Sequence, residues 1–174
     1  MKKFLVLLAM LLMISGLAAC SSKENGETNA EKASSPEKTD LKKEMVKFYT
    51  ELGNTINAKD VDLNRYEADV AKATEDPTVT IKPEEKTKAS ESATAVVDAL
   101  KKVQVPAVLK DQKTDLEAAL KDYIASYQMK ADELKKDSPS LDEANATFKQ
   151  GDEKLGKALE SVKMLPASLD AQVN

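Results

Sequence analysis

The 174-residue sequence contains no histidine, no tryptophan and one cysteine, and only 4% of its residues are aromatic. The lack of histidine excludes histidine general bases, histidine metal ligands and nucleophiles activated by histidine. One cysteine excludes an internal disulfide and a CxxC motif. Any catalysis would have to use Asp, Glu, Lys or Tyr, and the sequence indicates no cofactor or metal site.

A long run of basic charge is also missing. The chain has 26 basic and 30 acidic residues and a formal net charge of −4. Its lysine pairs, such as Lys101-Lys102, lie among acidic residues, which is typical of solvated helix faces. This balance predicts no nucleic-acid partner, because such a partner requires a basic surface for its phosphates.

The first residues have the pattern of a secretory signal peptide. Met1-Lys2-Lys3 is followed by an apolar stretch, 4–14, and then by small residues. The uncharged stretch 4–19 has sixteen residues, fewer than the ~20 that a membrane-spanning helix needs. The sequence therefore predicts an exported chain that begins with a secretory signal peptide.

The signal peptide ends in Leu17-Ala18-Ala19-Cys20, an aliphatic residue, two small residues and a cysteine. This is the lipobox pattern, and over the signal peptide and the following segment the chain resembles bacterial lipoprotein precursors. The resemblance implies a diacylglycerol on the Cys20 thiol, cleavage just before Cys20, and attachment to the extracytoplasmic face of the cell membrane. The alternative is an ordinary secretory signal with a chance cysteine at its end.

Lysine outnumbers arginine 25 to one, Arg65 being the exception. This bias is typical of a bacterial genome of low GC content. The compact signal peptide, the polar segment that follows it and the proline-divided helical pattern together resemble small lipoproteins of Gram-positive bacteria. The resemblance implies a functional residue only at Cys20.

Residues 20–39 are predicted to form a flexible, disordered tether. From 21 to 39 the chain contains no Val, Leu, Ile or aromatic residue, so it cannot bury enough apolar surface to offset the entropy of ordering. A flexible coil of this length spans about 25 Å on average. The tether would hold a domain away from the lipid headgroups.

Residues 40–166 are predicted to form the folded domain, and 167–174 a C-terminal tail. Prolines divide the domain into four blocks, in each of which apolar residues recur at helical spacing. The dividing residues are Pro77, Pro83, Pro106 and Pro139, with Pro166 at the end. Thr78-Val79-Thr80-Ile81, between the first two, is predicted to be an extended connection. The fold prediction is an all-α, elongated, antiparallel up-down bundle of about four helices.

The first block leaves one point open. Its apolar stripe runs from Met45 to Ala73 with Lys59 as the interruption, and Gly53 lowers helix propensity by up to ~1 kcal/mol. A kink or break between Gly53 and Asp60 and a continuous helix are both compatible with this pattern.

The fourth block has the clearest helical signal. Ser140-Leu141-Asp142-Glu143 matches a capping box, with Ser140 as the N-cap. Apolar and small residues then recur at three- and four-residue intervals. They are Leu141, Ala144, Phe148, Gly151, Leu155, Ala158, Val162 and Leu165. We predict that Gly151 is a close contact with a neighbouring helix and that Gly156 lies off this stripe.

The four tyrosines, Tyr49, Tyr66, Tyr123 and Tyr127, all lie on apolar stripes. They could line a groove for a ligand, but aromatic residues at helical spacing more often belong to the edge of a core, with their hydroxyls in solvent. The acidic residues are scattered and show no calcium-loop spacing.

The sequence supports a ranking of functions. The first is a non-enzymatic, membrane-anchored lipoprotein that binds a protein or a cell-envelope component. The second is a sensor or accessory subunit that binds a small ligand between helices. The third is an envelope enzyme that uses carboxylates.

Overall fold

The structure is a computed structural model, and it describes residues 36–173. The signal peptide, Cys20 and most of the predicted tether lie outside the described residues. The helices are α1 (Pro36–Asn57), α2 (Val61–Glu75), α3 (Pro83–Leu100), α4 (Lys113–Glu133), α5 (Asp142–Ser161) and α6 (Asp170–Val173). A single 3₁₀ turn, Ala107–Leu109, precedes α4. The prediction of an all-α bundle is confirmed, and residues 36–173 contain no strand.

The first predicted helix is two helices. α1 ends at Asn57, the amides of Lys59 and Asp60 both bond to the Ile56 carbonyl, and α2 begins at Val61. Gly53 remains inside α1, so the break lies at the end of the range that the sequence allowed. Residues 36–173 therefore contain five long helices, consistent with the predicted bundle of about four once the first is divided.

Successive helices run antiparallel where their contacts can be followed. Tyr123 near the middle of α4 bonds to Asp152 in the second half of α5, and Ser126, further along α4, bonds to the Ala144 carbonyl near the start of α5. Likewise Ser90 of α3 bonds to the Ala131 carbonyl near the end of α4. The connection 76–82 is non-helical, as predicted, and Ile81 packs against the core.

The predicted capping box at Ser140 is wrong. α5 begins at Asp142 with Leu141 at the N-cap position, whose side chain makes no capping hydrogen bond, and the Ser140 hydroxyl accepts only the Asp142 amide, at 3.5 Å. The Ser140 hydroxyl instead donates to the Asp142 carboxylate. A reciprocal bond of the capping-box type occurs at α3, where the Glu85 carboxylate accepts the Lys82 amide at 2.9 Å.

α5 ends in a Schellman turn with a lysine in the position that glycine usually takes. Lys163 has φ of 59°, the Met164 amide bonds to the Leu159 carbonyl, and the Lys163 amide bonds to the Glu160 carbonyl. This turn redirects the chain, and Leu165, predicted to continue the apolar stripe, is 87% exposed.

The predicted boundary at Pro166 is also wrong, because the chain beyond it belongs to the core. Leu169 and Val173 are buried, and residues 170–173 form α6. At the other end, α1 begins at Pro36, four residues before the predicted start of the domain. Burial of two further apolar side chains explains why 167–173 is part of the domain instead of a free tail.

Between residues 36 and 173, no helix is long and apolar enough to span a membrane.

Candidate functional site

The structure brings acidic side chains to two points between the helices, and we describe each as a cluster. The Asp152 cluster joins α4, α5 and the C-terminal residues. The Asp60 cluster joins the α1–α2 turn to α4. Cys20, the predicted lipid-attachment residue, lies outside the described residues.

The Asp152 carboxylate is hydrogen-bonded on both oxygens. It accepts the Tyr123 hydroxyl at 2.8 Å, the Ser168 hydroxyl at 2.7 Å, and the amides of Leu169 and Asp170 at 2.9 and 3.3 Å. Four donors occupy the lone pairs of an ionised carboxylate, which suits a structural anchor. Asp152 thereby ties the last residues of the chain to α4 and α5.

Tyr123 lies at the centre of this contact. Its ring is fully buried, 4.8 Å from the Phe148 ring, and it faces Gly151. Burial, followed by the charge of Asp152, raises the pKa of the Tyr123 hydroxyl far above its ordinary value. The hydroxyl is therefore a permanent donor to the carboxylate at neutral pH.

The Asp60 cluster is more deeply buried. Asp60 is 1% exposed, and its carboxylate accepts the Tyr127 hydroxyl at 3.3 Å and a hydrogen bond from Asn64. Burial raises the pKa of the Asp60 carboxyl; its hydrogen bonds and the charge of Lys130 partly offset that rise. Burial, followed by the negative charge of Asp60, also raises the pKa of the Tyr127 hydroxyl.

A buried cation completes the Asp60 cluster. Lys130 of α4 is 3% exposed, donates to Glu67 of α2 at 2.7 Å, and lies 5.7 Å from the centre of the Tyr127 ring. A buried ammonium is tolerated only with such a partner. This ion pair and the Asp60–Tyr127 bond hold α4 against α2 and the turn that precedes it.

Three of the four tyrosines are core residues that pack between helices instead of lining a ligand groove. Tyr66, Tyr123 and Tyr127 are buried in the core, and Tyr49 is half-buried. The predicted location of the hydroxyls in solvent is wrong for Tyr123 and Tyr127, which bond to carboxylates. Tyr49 lies at the edge of the core as predicted, and its hydroxyl donates to the Ser168 carbonyl at 2.9 Å.

The two glycines of α5 behave differently. A Cβ at Gly151 would lie 2.7 Å from the Tyr123 ring, so Gly151 is a close contact as predicted, with an aromatic ring as the neighbour. Gly156 is buried under Pro166, although a Cβ there would lie at an ordinary 3.5 Å. The apolar stripe of α5 therefore does not account for the burial of Gly156, which comes from the returning C-terminal residues.

Sequence reasoning overlooked Asp60, Lys130 and Asp152. A usable signal existed, since each occupies an apolar position in its helical register. Asp60 lies four residues after Ile56 and three before Leu63, and Asp152 has the same relation to Phe148 and Leu155. Lys59, considered the interruption of the first stripe, is exposed.

An open groove of about 350 Å³ lies beside the Asp152 cluster. It is lined by Asp152, Glu153, Gly156, Lys157, Glu160 and Pro166. Within residues 36–173, no group of three or more acidic, cysteine or histidine side chains is arranged to hold a metal ion. Comparison with protein-family models, with curated proteins and with solved structures finds no match to this chain.

Proposed function

We propose that this protein is a lipoprotein, anchored through Cys20 to the extracytoplasmic face of the cell membrane, whose helical domain binds a protein or cell-envelope component without catalysing a reaction. The observation that carries the proposal is the lipobox Leu17-Ala18-Ala19-Cys20 at the end of a charged, then apolar, leader. Two acyl chains on one cysteine provide stable membrane attachment.

The spacing between anchor and domain supports this arrangement. α1 begins at Pro36, sixteen residues after Cys20. The intervening segment lacks Val, Leu, Ile and aromatic residues, a composition typical of a linker. A domain on such a linker can reach a partner in the envelope while it stays attached to the membrane.

The chemistry of the charged groups between the helices supports a binding role over an enzymatic one. The Asp152 carboxylate is occupied by four donors, and Lys130 is occupied by Glu67. A catalytic carboxylate or amine must instead be able to reach a reacting group. These side chains connect helices, which is what a rigid binding domain requires.

Metabolic labelling with a fatty-acid analogue tests the anchor. The parent chain should carry the label and fractionate with membranes, whereas Cys20→Ala should carry none and remain uncleaved or be released. Ser21→Ala is the matched control and should be labelled like the parent. Undiminished labelling of Cys20→Ala would refute the assignment.

A further inference from the structure

The residues after α5 fold back over the domain in a way that resembles a bound peptide. We name residues 166–173 the C-terminal strap. It follows the exposed Leu165 and the left-handed turn at Lys163, and it contacts α1, α2 and α5.

Side chains of the bundle hold the main chain of the strap. Tyr49 donates to the Ser168 carbonyl at 2.9 Å, Asn57 to the Gln172 carbonyl at 3.2 Å, and Asn64 to the Val173 carbonyl at 2.7 Å. These donors follow one another along α1 and α2 in the same order as the strap residues that they contact. Such bonds would hold any peptide of the right shape, because they use groups that every residue has.

Asp152 of α5 also holds the strap. It accepts the amides of Leu169 and Asp170, which open the single turn of α6, and the Ser168 hydroxyl. The Ser168 contact requires a particular side chain, whereas the two amide contacts require only the backbone.

Two apolar side chains make the strap's binding depend on its sequence, since the main-chain hydrogen bonds do not. Leu169 is fully buried and Val173 is 3% exposed, and they lie four residues apart on one helical face. Between them, the Gln172 amide lies against Gly53, where a Cβ would overlap it. The Gln172 Oε1 is buried without a hydrogen-bond partner, so the strap fits this part of the surface imperfectly.

We propose that Tyr49, Gly53, Asn57, Asn64 and Asp152 form a peptide-binding groove that the strap occupies within its own chain. The ligand is a short segment of a protein partner with a hydroxyl residue followed by two apolar residues four positions apart. This inference rests on the proposed binding role and specifies its partner. Covalent linkage gives the strap a high effective concentration, so a partner segment binds by displacing it.

The experiment uses the full chain and a fluorescent synthetic peptide of residues 166–174. Leu169→Asp in the chain removes the strap's main anchor and should open the groove. Fluorescence anisotropy should show saturable peptide binding to this variant, about tenfold or more tighter than to the parent, whose groove is filled. Leu165→Asp changes an exposed side chain beside the strap and should behave like the parent. A peptide carrying Leu169→Asp should not bind.

Equal binding to both chains, or binding to neither, would overturn the proposal. If circular dichroism shows that Leu169→Asp is unfolded, a full chain with a protease site inserted after Leu165 decides instead. After cleavage, the strap should exchange with the labelled peptide, and absence of exchange would be decisive against the groove. The measurement needs no lipid, so its failure leaves the anchor untouched, and failed fatty-acid labelling leaves the groove untouched.

Discussion

At the scale of single residues, a few polar side chains decide how the helices meet. Asp152 and Asp60 each occupy a position where helical spacing would place an apolar residue, and each accepts a tyrosine hydroxyl from α4. The buried carboxylate of Asp60 and the partly buried carboxylate of Asp152 are stable there because their donors come from a neighbouring helix or from the returning chain. Each interaction therefore also selects one packing arrangement.

Gly151 gives a prediction at this scale. A Cβ at this position would lie 2.7 Å from a Tyr123 ring that is fully buried, packed on Phe148 and bonded to Asp152, so the ring cannot move aside. Gly151→Ala should lower the free energy of unfolding by about 1–3 kcal/mol despite a gain in helix propensity, and Gly151→Leu should lower it further. Chemical denaturation measures both.

Gly156→Ala is the matched control on the same helix. Its Cβ would lie 3.5 Å from that of Pro166, an ordinary contact, so the substitution should be neutral or stabilise the domain by up to ~1 kcal/mol. If Gly151→Leu is as stable as the parent, α5 does not pack against α4 in the register that places Gly151 on the Tyr123 ring.

At the scale of elements, the α1–α2 turn shows that tertiary contacts can stabilise a helix break where the apolar spacing of the sequence continues without interruption. The apolar spacing continues from Ile56 to Leu63, but the chain turns between them, and Ser92 of α3 accepts the Leu63 amide and donates to the Lys59 carbonyl. These bonds satisfy main-chain groups that the helix break leaves open. A helix from another part of the chain thus stabilises the break.

The ion pair between α2 and α4 gives the second prediction. Lys130 is 3% exposed and its partner Glu67 is partly exposed, so loss of the partner should destabilise the domain more when Lys130 is left than when Glu67 is left. Glu67→Ala leaves a buried ammonium without its partner and should cost about 3 kcal/mol or more. Lys130→Met keeps the apolar stem and leaves a carboxylate that water can reach, so it should cost less. Urea denaturation of both variants checks the order.

Asp69→Ala is the control for this pair. Asp69 also lies on α2, with similar side-chain exposure to Glu67, but its partner Lys72 is 66% exposed. Loss of that pair should change stability by less than about 1 kcal/mol. A cost for Glu67→Ala no greater than for Asp69→Ala would contradict the account of a buried cation.

At the scale of the whole domain, the two central tyrosines link stability to alkaline pH. Burial raises the pKa of Tyr123 and Tyr127 far above 10.0, their ordinary value. In the unfolded chain both ionise near that value, so above about pH 10 the folded state binds more protons and stability falls as the pH rises. Each proton that the folded state keeps and the unfolded state loses lowers the free energy of unfolding by about 1.4 kcal/mol per pH unit.

Parallel titrations followed by tyrosinate absorbance and circular dichroism test this linkage. Ionisation of the two buried tyrosines should coincide with loss of helix, and Tyr127→Phe should lessen the fall in stability per pH unit above about pH 10. Complete ionisation of all four tyrosines with the helices intact would contradict it.

Helical spacing and proline punctuation were enough to predict an all-α bundle, the connections near Pro77–Pro83, Pro106 and Pro139, and a contact at Gly151. These features could be predicted because they depend on residues close together in the sequence, through propensity, periodicity and the missing proline amide. The lipobox at Cys20 is likewise a local pattern, and it stays a prediction.

Only the tertiary structure decided the break before Asp60, the start of α5 at Asp142, and the place of 167–173 in the core. The break depends on Ser92, and the strap depends on Asp152, Tyr49 and Asn64, all of them far away in the chain. A segment with two apolar side chains has no distinctive local signal in the sequence. Its burial is favourable only when α1, α2 and α5 are already packed together. The free energy that orders it comes from contacts across the fold, which a local pattern does not contain.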